Sequence, residues 1–168
     1  MKVLVGREML VIALLLLGLT AHRGAFAQTS QSAPQEAVAV SDTVLALTKS
    51  YVEAWESLDQ ERILRFHSDD VQYYWMGSGS VTSNTAFAGL LRMILPTLKS
   101  WSMKVREPRV KVLGTDAAVV SFLFDFESVT RDGQRESGRQ AATYVFERRN
   151  DDWKIVVIHE SAPAPKGN

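Results

Sequence analysis

The sequence predicts an α+β domain in which an antiparallel sheet wraps against helices. Two observations lead there. Apolar residues recur at steps of three and four in the first half of the ordered chain, and four consecutive strand patterns fill the second half. A third observation excludes the main rival: no strand–helix–strand alternation is present, and Gly77-Ser78-Gly79-Ser80 matches neither the dinucleotide nor the phosphate-loop glycine pattern.

Order is expected to begin near Ser41. Val44, Leu47, Tyr51, Ala54/Trp55 and Leu58 repeat with helical spacing, with Ser41 placed to cap and Asp42 in the first turn. Asp59 is placed to cap a short second helix, Gln60 to Phe66, whose Ile63, Leu64 and Phe66 share a side. Val71 to Met76 is dense in Tyr and Trp, which suits a strand, and the Gly-Ser run closes it. A third helix starts near Ser83 and carries Phe87, Leu90, Leu91, Ile94 and Leu98 on one stripe; Pro96, lacking an amide donor, bends or ends it. Met103 to Leu113 is a strand with Pro108 marking a bulge or break, followed by a turn at Gly114-Thr115-Asp116. Ala117 to Val129 puts Val120, Phe122, Phe124 and Phe126 on one face. After the turn Arg131-Asp132-Gly133 come Ser137 to Arg149 and Trp153 to Ser161, joined by Asn150-Asp151-Asp152.

Composition bounds the chemistry. The 168 residues include 19 basic and 19 acidic side chains and no cysteine, which excludes thiol nucleophiles, thiolate zinc sites and iron–sulfur clusters. Residues 1–27 have the pattern of a secretory signal peptide: Lys2 and Arg7 precede an apolar run from Met9 to Leu19, and Ala25-Phe26-Ala27 closes the segment. The run is about half the roughly 20 residues that span a bilayer, so no stable membrane anchor is expected. The protein is therefore expected to be exported, to the periplasm or the medium. Residues 28–40 are rich in Gln, Ser, Ala and Pro and suit a flexible tether, residues 41–163 form the domain, and residues 164–168 a loose tail. Loss of residues 1–27 removes Lys2, Arg7, Arg23 and Glu8, leaving 16 basic and 18 acidic side chains and a net charge of −2. That balance gives no long-range pull toward nucleic acid.

Two segments carry a family likeness: Gly114-Thr115-Asp116-Ala117-Ala118-Val119-Val120, and the hairpin from Arg148 through Asn150-Asp151-Asp152-Trp153-Lys154 to Ile158-His159-Glu160-Ser161. With the order of elements, they make the chain resemble the NTF2-like superfamily, in its SnoaL-like and DUF4440-type branch. The hairpin is also similar to the association domain of calcium/calmodulin-dependent kinase II. The resemblance implies a cone: a curved antiparallel sheet closed by the first helix, a pocket at the open end, and a homodimer made through the sheet. It does not choose among the isomerases, dehydratases, cyclases and binding modules built on this fold.

If the phenylalanine face turns inward, alternation gives inward sets Ala142/Tyr144/Phe146 and Val156/Ile158/Glu160. Positions that carry arginine in the kinase association domain correspond here to Phe124, Tyr144 and Glu160, which argues against an anionic ligand. A carboxylate in an apolar cavity is a candidate acid or base, and a nearby phenol a hydrogen-bond donor, so Glu160 and Tyr144 are the catalytic candidates. The competing reading leaves Glu160 in water at the strand end and Tyr144 as core. Simple alternation puts His159 on the outer face with Trp153, Ile155 and Val157; a bulge would reverse it, and His159 is retained as a second acid/base candidate. Tyr51, Trp55, Tyr73, Trp75, Phe87, Phe122, Phe124 and Phe126 are the candidate ligand contacts, with core packing the alternative for such a stripe. Three of the four tryptophans are expected around the pocket, Trp101 being the exception. His67 with Asp69 and Asp70 suits a solvated helix end, so no metal site is assigned, and no cofactor is implied. The leading expectation is a cone that binds a small, largely apolar molecule without established catalysis. An acid/base isomerase, dehydratase or cyclase and a non-catalytic interaction module are the alternatives.

Overall fold

The computed structural model describes residues 32–75 and 79–162. The leader at Met1–Ala27, the glycine–serine turn at Gly77-Ser78 and the tail at residues 164–168 lie outside the described residues. The chain divides into Met1–Val38 and Ala39–Asn168, and the site below belongs wholly to the second unit.

Helix α1 runs Ser32–Glu56, starting nine residues before the expected Ser41. Ala33, Gln35, Glu36, Ala37 and Ala39 are strong helix formers, and Pro34 falls in the first turn, where its missing N–H costs nothing. That stretch buries almost nothing, so apolar spacing did not reveal it. From Val40 the helix has a buried face of Val44, Thr48, Tyr51, Val52 and Ala54. It stops at Leu58, whose φ of 53° is left-handed. Asp59 then caps α2 (Gln60–Leu64), its carboxylate accepting from Glu61 and Arg62 N–H at 2.9 and 3.1 Å.

Strand β1 (His67–Trp75) begins four residues earlier than expected, because His67 pairs with Ile155 and Ile155 N–H donates to Phe66 C=O at 2.8 Å. A short β2 (Gly79–Val81) follows. Ser83 caps α3 (Asn84–Ile94) by accepting from Ala86 N–H. Pro96 turns the chain through a 3₁₀ segment, Leu95–Thr97, so Leu98 opens a strand instead of extending the helical stripe. The long strands are β3 (Leu98–Val112), β4 (Ala117–Thr130), β5 (Arg135–Arg149) and β6 (Asp152–Ser161).

The sheet order is β2-β1-β6-β5-β4-β3. It is antiparallel throughout except where β1 lies parallel to β6, the one pairing the expected all-antiparallel sheet lacks. In β4 the buried residues alternate strictly: Ala118, Val120, Phe122, Phe124, Phe126 and Ser128. β5 answers with Gln140, Ala142, Tyr144 and Phe146. Register shifts fall at His67/Gln72 in β1, at Leu98/Ser100 and Arg106/Arg109 in β3 and at Val145/Phe146 in β5, and the last two reset the phase of the long strands. Glu107 and Pro108 lie between the pairs Arg106–Leu123 and Arg109–Ser121, with Glu107 at φ 48°, as Pro108 predicts. Val156 lies between the pairs Ile155–Phe146 and Val157–Val145. The bulge at Val156 corrects the expected inward set of β6: Ile155, not Val156, is buried beside Ile158, while His159 remains outward. In the β5–β6 hairpin Asn150 and Asp151 both have positive φ, as a type I′ turn requires, and Asp152 already pairs with Arg149.

The Val156 bulge makes a direct prediction. Ile155→Ala should cost about 2–5 kcal/mol as a core truncation, whereas Val157→Ala, on the half-exposed face, should cost less than about 1 kcal/mol. Urea unfolding of the two variants checks it; equal costs would mean that β6 keeps simple alternation.

Candidate functional site

A cavity of about 300 Å³ opens between the inner sheet face and the helices α1 and α3. Its walls are mainly aromatic. Trp55 on α1 meets Trp101 on β3 with ring centroids 6.0 Å apart, and Trp101 stacks on Phe126 at 5.4 Å and 15°. Tyr73 and Trp75 stack at 5.6 Å across the opposite wall, and Leu90 and Ile94 close it from α3.

Glu160 lies in the cavity wall. Its Oε2 accepts from the Tyr73 hydroxyl at 2.8 Å and its Oε1 from the Tyr144 hydroxyl at 3.3 Å. β6 carries the carboxyl beside Ala142, a residue too small to fill the space above it. Burial pushes the Glu160 pKa up; the two phenols, by donating to the carboxylate, pull it part of the way back. The phenols are raised in turn, by burial first and by the Glu160 charge second, so both stay protonated donors.

The structure divides the sequence candidates. Trp55, Tyr73, Trp75, Phe126 and Glu160 line the cavity. Tyr144 reaches it through its hydroxyl on Glu160. Tyr51, Phe87, Phe122 and Phe124 are buried core behind the walls: Phe87 packs edge-to-face on Tyr73 at 5.0 Å, Phe122 and Tyr51 edge-to-face on Tyr144 at 5.0 and 5.6 Å, and Phe124 lies tilted between Phe122 and Phe126 at 6.1 and 6.4 Å. His159 is exposed on the outer face, away from Glu160. Trp101, expected elsewhere, is a wall residue because β3 starts at Leu98 and not at Met103. Trp153 does not line the cavity, and the Arg148 guanidinium lies 5.8 Å from its ring.

Four polar wall residues escaped the sequence reading: Ser128, Thr130, Glu136 and Gln140. Gln140 and Ser128 are buried and line the cavity, and neither side chain is hydrogen-bonded to another described residue. Extending the β5 alternation one step back from Ala142 would have found Gln140. His67 was misplaced as well: it is buried, 2.8 Å from the Tyr51 hydroxyl through Nε2, with its ring edge-to-face on Phe87 at 4.7 Å. Burial lowers its pKa to about 4, so the imidazole is neutral. Among the described residues no group of three or more His, Asp or Glu is placed to hold a metal ion, and no helix is long and apolar enough to cross a membrane.

Residues 44–165 match the family model described as SnoaL-like domain. Among solved structures, the fold is similar to an NTF2-like superfamily protein from Salmonella enterica (22% identity, TM-score 0.68, covering 77% of this chain and 95% of that one). It is also similar to a hexachlorocyclohexane dehydrochlorinase, LinA type 2 (14%, 0.67, 80% and 96%). A third likeness is to a protein from Xanthomonas campestris assigned as a calcium/calmodulin-dependent protein kinase II association domain (20%, 0.66, 74% and 88%). At these identities the likeness establishes the fold alone. No curated protein sequence matches the chain.

His67 supplies a pH test. Its folded pKa of about 4 lies below its ordinary 6.5, so between those values the unfolded chain binds more protons than the native one and stability falls as pH drops. Glu160, with its pKa raised, acts in the opposite sense. His67→Gln keeps a hydrogen-bonding partner for Tyr51 and removes only the first effect. Between pH 7 and pH 4 the wild type should lose about 3 kcal/mol more than His67→Gln. Chemical unfolding at the two pH values measures the difference; parallel curves would show that His67 does not titrate on unfolding.

Proposed function

The chain belongs to the SnoaL-like domain family, and from that premise we propose that its cavity binds a small, largely apolar molecule with a polar group directed at Glu160. The observation that carries this reading is the cavity itself: about 300 Å³ walled by Trp55, Trp75, Trp101 and Phe126 around the half-buried carboxylate of Glu160. Such sites hold ligands by apolar burial and orient them with a few polar groups. Lys2, Arg7, the apolar run Met9–Leu19 and Ala25-Phe26-Ala27 support export of the domain, and the family likeness supports a homodimer.

A second reading, an acid/base enzyme, is favoured by one feature. Glu160 is desolvated, its pKa is raised, and two phenols lie beside it to steady developing charge. The structural likeness to a dehydrochlorinase is compatible with it.

Binding is tested with 1-naphthol, followed by quenching of the wall tryptophans. The wild type should saturate, and Leu90→Trp, which fills the cavity, should weaken binding at least about tenfold; equal affinity for both proteins would remove the cavity as the site. Catalysis is tested with 2-tetralone, whose α-protons exchange with solvent deuterium on enolisation. An acid/base site should accelerate exchange in the wild type and lose about 100-fold or more of that rate in Glu160→Gln. Binding without exchange would leave the protein as a carrier or sensor.

A further inference from the structure

The charges around the sheet are segregated by face. On the outer face, Asp125 is held by Arg139 at 2.7 Å and Arg106 at 2.9 Å, and Asp70 and Glu147 both by Arg149 at 2.6 Å. Inside, no Lys, Arg or His among the described residues lines the cavity. Its two charged groups among the described residues are carboxylates, the half-buried Glu160 and the exposed Glu136.

Glu160 is therefore a half-buried acid whose two oxygens both accept hydrogen bonds, a geometry that suits the ionised form, yet it has no positive partner among the described residues. Buried charges in proteins are normally paired. The neighbouring walls are the aromatic rings of Trp55, Trp75, Trp101, Tyr73 and Phe126, and tryptophan is the strongest aromatic partner for an organic cation. An anionic ligand would meet two like charges. A wholly neutral one would leave the carboxylate unmatched.

Resting on the reading of this cavity as a ligand site, we infer that it selects organic cations. The preferred ligand is an ammonium group carried on a small apolar body, with Glu160 as counter-ion and Trp55, Trp75 and Trp101 as the cage. The tyrosines act as positioning residues: Tyr73 and Tyr144 hold the carboxylate so that its remaining lone pairs face the cavity. The aromatic walls accept either a quaternary centre, which has no hydrogen to donate, or a protonated amine, which adds a direct bond to Glu160.

The experiment compares benzyltrimethylammonium with neopentylbenzene, its uncharged isostere, by ligand-observed NMR at one ionic strength on the folded full-length domain. The wild type should bind the cation at least about tenfold tighter than the isostere. Glu160→Gln should bring the ratio to about one by loss of cation affinity alone, with neopentylbenzene unaffected. Trp101→Leu leaves the carboxylate in place and should also lower the ratio, which covers the case in which Glu160→Gln does not fold. Equal affinities in the wild type, or a preference that survives Glu160→Gln, would overturn the inference. If 1-naphthol binds and neither of these probes does, the cation inference is overturned and the ligand site stands; if none of the three binds, the ligand site itself is overturned.

Discussion

The strict alternation of β4 is the constraint on which the rest of the structure depends. Phe122, Phe124 and Phe126 point to one side of a strand that pairs with β3 on one edge and β5 on the other, so three rings are delivered in a row to the concave face. Each fully buried ring contributes about 1.5–3 kcal/mol by removal from water. Helix α1 can close over them only by matching that row with its own buried face, which is why Tyr51 sits on Tyr144 and Trp55 on Trp101. Toward the β4–β5 turn the row changes from Phe126 to Ser128, and β5 changes from Ala142 to Gln140. Smaller and more polar side chains there leave space that the helices do not fill, and the cavity is that space.

Glu160 shows how the same packing sets chemistry. Taking a carboxylate out of water costs several kcal/mol even after relaxation, while each hydrogen bond to a charged group returns about 1.5–3 kcal/mol. Two tyrosine donors, one at 2.8 Å and one at a longer 3.3 Å, therefore offset only part of the burial, in accord with the raised pKa. The tyrosines cannot relax away to improve the exchange. Tyr73 is fixed between Trp75 and Phe87, and Tyr144 between Phe122 and Tyr51. The remaining imbalance stays on the carboxylate and is available to a ligand.

The fold was legible in the sequence where burial is periodic and illegible where it is not. The β4 and β5 faces, the Asp59 and Ser83 caps and the Pro108 bulge all follow from residue types whose local physics decides the outcome. The α1 extension to Ser32 rests on propensity with little burial, and the Val156 bulge has no proline or glycine to announce it. Of the site, Glu160, Tyr144 and Phe126 follow from strand parity, and Trp55, Tyr73 and Trp75 from aromatic clustering. His67 was missed because its burial is made by the parallel pairing of β1 with β6, a contact 88 residues away along the chain. Trp101 was missed because the start of β3 is set by the 3₁₀ turn after Pro96, whereas the alternation that marks the strand becomes clear only later.

Bulges are the reason that one sheet can keep arginines outside and a bare carboxylate inside. Side chains in a strand repeat every two residues, so a slip of one would exchange Glu160 with His159 and Tyr144 with Thr143 or Val145. The bulge at Val156 lets Ile155 and Ile158 both face inward while β6 bends to follow the cone, and parity downstream of it places Glu160 inside. In β3, ordinary alternation turns Trp101 and Met103 to the cavity wall and Arg106 to Asp125 on the outer face, and the bulge at Glu107–Pro108 then resets parity so that Arg109 stays outside opposite Ser121 while Val110 faces the buried Val120. Register is thus a determinant of electrostatics as much as of packing. A domain with the same composition and a different pair of bulges would bury a different set of charges, and the side chains that pair on the outer face would face the cavity instead.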